Sequence, residues 1–559
     1  MTPPAPPLSP SPAALTAQAL LNCLAREVCG PQGQAREEAG YLILQLPEAG
    51  TVVRARLSRP SAGLAPRLSG DAELRRRGRW EPLGWRRLAD LVAAEMTLAT
   101  RAGNLEFTAQ VRSSHAATSA IIRARARAPK PAPAGSPAER YVASEQSLTA
   151  GHRFHPAPKA RQGSPAEWLR YAPEARARFP LRFLAVRDDA AAGAGDTAAL
   201  DTLGGPVPPA GYRLLPAHPW QFRLHAADPG GWLRRALDTG LVVDLGEGGR
   251  AVAATSSVRT VYDPAADVFC KFSLGVRITN CVRTSAWYEL DGSVTLTALL
   301  RPALAGLAAR YPGAALLAEP GYRTAAASDR GAYEGLAVIV RDGLRPHLLP
   351  GVTPLLAAAL TEPGNPALNA AAPDPAAWWE AYARLLVPPV LELLVTHGVA
   401  LEPHLQNVLA GVDAAGLPAQ VIFRDLEGAK LVRARHPALL AALPPGAASR
   451  LAYEEDQAWD RVLYCLLVNH LAEIAAALAD RAPGRPEVLE ARLWSGLGDV
   501  LAKCAADLGW PPPLQALLGG AALPGKANLR VRWARAADRE AGYVPVPSPF
   551  RRGRQETAR

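Results

Sequence analysis

Residues 254–283 concentrate hydroxyls and cations on what reads as two β-strands. In 268–283, Phe272, Leu274, Val276, Ile278 and Val282 fall at even positions, and Lys271, Ser273, Arg277, Thr279 and Arg283 at odd ones. Period-2 alternation sends the even set into a core and the odd set onto the opposite face. That face would hold three cations and two hydroxyls, with Ser257, Arg259 and Thr260 just upstream. Such a donor-rich face suits a polyanion, a nucleoside triphosphate or a polycarboxylate. A solvated strand face would carry the same pattern.

Two further segments could share that chemistry. The loop Gly151–Gly163 carries His152, His155, Arg153, Lys159 and Arg161. It could hold carboxylates or phosphates by charge-assisted hydrogen bonds. A Pro-rich surface loop is the plain alternative, and zinc is poorly supported because two His three apart lack a third ligand nearby. The segment Leu401-Glu402-Pro403-His404-Leu405-Gln406-Asn407 would, if extended, put Glu402, His404 and Gln406 on one face. A short strand after it ends in Arg424-Asp425-Leu426-Glu427-Gly428. Carboxylates there beside an Asn offer the hard oxygens that Mg²⁺ takes, with Glu402 and Asp425 as candidates.

Other motifs carry less. His218 in His218-Pro219-Trp220-Gln221 could orient a substrate, but a lone His is more often structural. Gly246–Ala251 nominally matches a dinucleotide fingerprint, but a strand follows where a helix is required, so it reads as a hairpin turn. GxxxxGK[ST], HExxH and GxSxG are absent from the sequence.

These side chains need a scaffold, and the chain is long enough to supply it. Its 559 residues are 49% hydrophobic and 20% charged, as in a globular protein of two or three domains. The net charge of +11 lacks aromatic-interleaved basic runs, which argues against nucleic-acid binding. The six cysteines form no CxxC pair and fit a reducing compartment. No signal peptide is visible, and the apolar run 385–395 is too short to span a bilayer, so a cytoplasmic protein with no membrane contact is expected. Residues 13–29 read as a helix, 40–57 as a hairpin, 85–127 as helical and Ala128–Pro137 as a linker. The middle, 140–365, mixes strands and helices. Long helical patterns at 376–396 and 456–480 flank strands at 400–411 and 419–425.

The layout His-x-x-Asn-Val-Leu, hairpin, Asp-x-x-Gly is similar to kinases and aminoglycoside-type phosphotransferases, with Glu402 in the base position. A Gly-rich strand loop ahead of a strand lysine is missing, and Glu replaces the usual Asp.

The set as a whole resembles the IucA/IucC family of NRPS-independent siderophore synthetases. The Gly151–Gly163 loop, His218–Gln221, Thr255–Thr260, Lys271–Arg283, Glu402–Asn407 and Arg424–Gly428 occur in that family's order, and the likeness runs from about Glu145 to Pro549. Arg153 stands where a Pro is usual, Glu-Pro-His replaces Glu-Ala-His, and Pro547-Ser548-Pro549 replaces Asn-Pro. The resemblance implies an α+β fold likened to a cupped hand, with mixed and antiparallel sheets flanked by helices. On that division residues 1–137 form a thumb, 138–375 fingers and 376–559 a palm. It also implies a homodimer and ATP-dependent acyl transfer with Mg²⁺. A carboxylate, often citrate, forms an acyl-adenylate and pyrophosphate, and an amine, hydroxylamine or alcohol then displaces AMP. Carried onto this chain, Ser257, Arg259, Lys271, Thr279, His404, Gln406 and Asn407 would bind ATP. Arg283, His404 and Lys271 would be catalytic, His152, His155, Lys159, Arg161 and Arg283 would bind substrate, and Glu402 and Asp425 the metal.

Overall fold

The computed structural model describes residues 10–60, 64–128, 135–278, 281–325, 330–362, 365, 368–369, 373–443, 446–481, 484–536 and 542–550; the side chains of 278 and 281–283 are outside this description. It is an α+β fold built around three large sheets.

The first is a five-stranded antiparallel meander, Ala35–Glu38 to Arg79–Pro82, extending the expected hairpin. Its apolar face packs on the helices Pro12–Cys23, Trp85–Thr100 and Phe107–Arg127. Leu529 and Trp533, from the helix Asn528–Ala534, join the same core. The residues after the hairpin thus behave as read, but the last helix returns to the first core, which no local pattern announces.

The second sheet has eight strands. Val268–Phe272 lies between Thr260–Asp263 and Val338–Arg341, all antiparallel. The apolar half of the predicted alternation holds for Phe272, Leu274 and Val276, which enter one core with Val268 and Cys270, while the side chains of Ile278 and Val282 are outside the description and Leu274–Ile278 pairs with Cys281–Arg283 in a separate two-stranded sheet. Lys271 projects from the other face, opposite Thr260 on one side and Ile339 on the other. Residues 242–254 correct one expectation. Gly246–Ala251 is not a hairpin turn but part of a single strand, Val242–Ala254, paired with Arg178–Arg187. The register shifts twice along that pair, so the glycines serve as bulges, with Gly246 at φ +90° and Gly249 at +71°.

The third sheet orders Ala314–Leu316, Pro418–Phe423, Val408–Val412 and Thr353–Leu356. Two of its strands precede residue 375 and two follow it, so the sheet crosses the boundary expected there. The helix Pro375–Val395 packs on it. The helical stretch 455–479 packs in the same core, and its centre, Tyr464–Leu471, is a π-helix. This stretch and Trp287–Arg310 are long and apolar enough to cross a membrane by length and composition. In the first, 94% of the most apolar window is buried inside the protein, as a core helix requires.

Candidate active site

The expected strand 400–411 is shorter than its pattern. Only Val399–Ala400 and Val408–Val412 are extended, and residues 401–407 form a turn in which His404 N donates to Glu402 O. Pro403 cannot donate to a ladder, which favours the turn. Glu402, His404 and Gln406 therefore do not share a strand face. Glu402 accepts from Arg461 and lies 3.6 Å from His404 Nε2. Gln406 instead turns to the loop 255–260, where its Nε2 donates to Ser256 O at 3.1 Å.

That loop is clamped from two sides. Ser256 N donates to Glu145 Oε2 at 2.8 Å, and Thr260 N donates to Ser257 O at 2.6 Å. Glu145 ends the helix Pro137–Glu145, started by the capping box of Ser136 and Glu139. Its other oxygen accepts from Arg424 at 2.5 Å and from Tyr141 Oη at 2.7 Å. Ser257 is left half-buried on the loop. Asn407 is buried, and its carbonyl accepts from Arg424 N at 3.1 Å.

The centre of the site is an ion cluster where the second and third sheets meet. Lys271 Nζ contacts Asp425 Oδ1 and Glu427 Oε2, the latter at 2.6 Å, with Glu319 Oε1 at 3.9 Å. Arg341 donates to Glu319 at 2.6 Å and to Asp425 at 2.8 Å. Arg259 donates to both Glu427 oxygens at 3.0 Å and to Ser285 Oγ at 2.9 Å. Burial works against the Lys271 ammonium, but Asp425, Glu319 and Glu427 outweigh it and hold the group above its ordinary value. The magnitudes agree: an ion pair at 4 Å gains about 4 kcal/mol at an effective dielectric of about 20, and desolvation costs several kcal/mol per ion. Burial likewise opposes the charged form of Asp425, yet Lys271 and Arg341 pull its carboxyl well below the usual range. Glu427 falls to about 2, against burial, through Arg259 and Lys271.

Asp425 holds φ +77°, left-handed backbone that a non-glycine residue rarely adopts. It sits just past the strand Pro418–Phe423, where strain of this kind clusters at working sites. Its side chain remains 31% exposed, the most open of the cluster's carboxylates.

A second polar group forms around His152. His152 Nε2 is 2.9 Å from Asn469 Nδ2 and 3.4 Å from Tyr464 Oη, both on the π-helical turn. Burial, with His155, Arg26 and Lys526 nearby, pushes His152 down to about 3, so it is neutral near pH 7. His155 is buried and its Nδ1 accepts from Ala157 N.

Lys159 and Arg161 share a partner. Both donate to the buried Glu174 at 2.5 Å, and Lys159 also donates to Leu148 O. Both reach an interior carboxylate here, and two cations on one anion leave one positive charge over. Arg277 is exposed and is not among the ion pairs of the cluster. Thr279 lies outside the described residues. The backbone of Arg283 is paired opposite Leu274, but its side chain is outside the description. Glu402 and Asp425 have separate partners, Arg461 with His404 in one case and Lys271 with Arg341 in the other. Among the described residues no three His, Cys, Asp or Glu side chains form a preformed metal cage. His218 caps the helix Pro219–Ala226 through Trp220 N and packs among Tyr171, Phe179 and Phe272, the structural alternative.

Residues missed in the sequence are Glu145, Glu319, Arg341 and Glu427 as ion partners, and Asn469 beside His152. Arg341 ends the apolar run 336–340, a signal that a charge had been placed deliberately at a strand end.

Comparison with known proteins shows what the chain as a whole is similar to. Residues 140–362 match the IucA / IucC family, and residues 376–541 match the ferric iron reductase FhuF-like transporter family. The rhizobactin siderophore biosynthesis protein RhbC of Rhizobium meliloti is 30% identical, over 96% of this chain and 97% of that protein. The L-2,3-diaminopropanoate–citrate ligase of Staphylococcus aureus is 31% identical over 61% of this chain and 63% of its own length. ATP-bound aerobactin synthetase IucA from Klebsiella pneumoniae superposes with a TM-score of 0.81 at 24% identity, covering 96% of this chain and 99% of that one.

Proposed function

The chain belongs to the IucA/IucC family of siderophore synthetases, and from that premise we propose that it activates a carboxylic acid on ATP and condenses it with an amine, hydroxylamine or alcohol. The observation that carries the reading is the buried cluster of Lys271, Arg259 and Arg341 against Asp425, Glu427 and Glu319. A carboxylate and a triphosphate are both anions, so a site that joins them must present fixed cations. In the first step a carboxylate oxygen attacks the α-phosphorus and pyrophosphate leaves. In the second the nucleophile attacks the acyl carbon, AMP leaves, and the nucleophile loses a proton. Neither step needs a covalent nucleophile from the protein.

Lys271, Arg259 and Ser257 are assigned to the phosphates. His404, Gln406 and Asn407 are assigned to the nucleotide and His152 and His155 to the acid, and the family resemblance adds Thr279 and Arg283 to those two sets. Asp425 fits Mg²⁺ as a partly exposed, ionised oxygen donor, whereas one oxygen of Glu402 is held by Arg461 and the other lies 3.6 Å from His404 Nε2. Bound there, the ion would neutralise phosphate charge. Citrate, or a related polycarboxylate, is the acid that its relatives' names favour. A cytoplasmic homodimer completes the reading.

The phosphotransferase alternative needs Glu402 as base. Against burial, Arg461 and His404 hold that carboxyl well below the usual range, which makes it a poor proton acceptor. The deciding experiment is exchange of labelled pyrophosphate into ATP, with citrate, α-ketoglutarate and succinylated hydroxamates offered singly as acids. Exchange that needs Mg²⁺ and an acid but no amine is expected. ADP as the only nucleotide product would overturn the ligase mechanism.

A further inference from the structure

Three carboxylates balance three cations in the cluster, but they differ in depth. Asp425 and Glu427 sit at its open edge, with side chains 31% and 16% exposed, while Glu319 is fully buried. Glu319 follows the strand Ala314–Leu316, and its backbone is pinned to Thr297 by reciprocal bonds of 3.0 and 3.1 Å. Its Oε1 accepts from Arg341 Nε at 3.0 Å and Nη2 at 2.6 Å. Its Oε2 is buried without a hydrogen-bond partner among the described residues. The Arg341 Nη2 that Glu319 holds also reaches Asp425, the residue in left-handed backbone.

We infer that Glu319 is a positioning residue for adenylation: it fixes Arg341, and through it Asp425, and it remains as the deepest of the three paired carboxylates when the edge carboxylates turn to a ligand. The inference rests on the ATP-dependent reading above. Two consequences follow. Geometry at Asp425 depends on the reach of the Glu319 side chain. The ground-state grip of Lys271 and Arg341 on phosphate is restrained by its charge, which leaves binding energy for the transition state.

Charge and reach are separable. Glu319→Gln keeps size and removes the anion, adding one net positive charge beside the phosphate cations. Glu319→Asp keeps the anion and shortens it by one methylene. Calorimetry with full-length protein and ATP, without metal and with chelator, reads the grip. Pyrophosphate exchange with metal and acid reads turnover. Glu319→Gln should bind metal-free ATP about fivefold tighter while kcat for exchange falls at least about tenfold. Glu319→Asp should leave metal-free ATP affinity within about twofold and still lower kcat about tenfold. A purely structural residue would weaken binding and turnover together. Glu319→Gln with both quantities unchanged, or both reduced in proportion, overturns the inference. If that variant does not fold, Glu319→Asp decides, and unchanged kcat overturns it. Wild-type protein that binds no ATP with or without metal would instead remove the underlying ATP-dependent reading and this inference with it.

Discussion

Lys271 and Asp425 stand 154 positions apart in the chain and form a direct ion pair across the meeting of two sheets. One comes from the middle of a strand and the other from a strained turn just past one, so neither can move without its sheet.

Lys271→Arg tests whether the site needs an ammonium or only a charge. The Lys271 side chain is 3% exposed and enclosed by Asp425, Glu427 and Glu319. A planar guanidinium does not fit that space without displacing a carboxylate. Exchange should fall at least about tenfold while the circular dichroism spectrum stays native. Full activity in Lys271→Arg would show that charge alone suffices.

Arg283→Ala is expected to lower the adenylation rate about 10²-fold, as loss of a transition-state charge contact does. The motive is its place on the odd-numbered strand positions with Lys271, two strands on. A well-folded, fully active variant would take Arg283 out of the site.

His404→Ala should abolish AMP formation with little loss of stability. The His404 side chain is 24% exposed and leans on Glu402, so truncation opens no deep cavity. An unfolded variant whose residual activity per folded molecule is normal would make His404 structural.

Acid sensitivity has a calculable sign. Burial depresses His152 to about 3, His218 to about 3 and His470 to about 4. Each is neutral in the fold and takes up a proton more readily when unfolded. Stability from these groups is complete above about pH 6.5 and is lost as pH falls toward 4. His218→Asn keeps an acceptor for Trp220 N and removes one titrating group. Urea unfolding from pH 4 to 7 should show a shallower slope for that variant than for wild type.

Glu27 works in the opposite direction. Burial raises its carboxyl from 4.5 to about 7, against the N–H groups of Leu529 and Arg530 that it accepts. The folded state holds the proton longer, so this group loses stability as pH rises from about 4.5 to 7. The whole effect is about 3 kcal/mol. In Glu27→Gln the stability difference from wild type should move in favour of the variant as pH rises through that range. A constant difference would show that Glu27 does not titrate there.

The alternation around Lys271 was legible because a strand reports its two faces at period 2, and the apolar half did reach a core. The ordered motifs marked the family. What could not be read was pairing over distance. Arg341 and Glu319 are single charges in apolar surroundings, and only the sheet arrangement brings them to Lys271. The partner of Lys159 and Arg161 was hidden for the same reason: a cation-rich loop does not disclose that Glu174 lies beneath it. The turn at 401–407 shows the limit of alternation itself, since a polar–apolar rhythm interrupted by Pro403 need not be extended.

The helix Asn528–Ala534 has a consequence for how the protein is made. Leu529 and Trp533 belong to the core of the first sheet, and Glu27 is satisfied only by amides of Leu529 and Arg530. A ribosome adding about 5–20 residues per second releases the first hundred residues well before that helix exists. During that interval the N-terminal core is an open half, with Glu27 and the apolar faces around it exposed to solvent or to a chaperone. Closure is therefore among the last events of synthesis, and a chain interrupted before residue 528 leaves its beginning unfinished as well as its end.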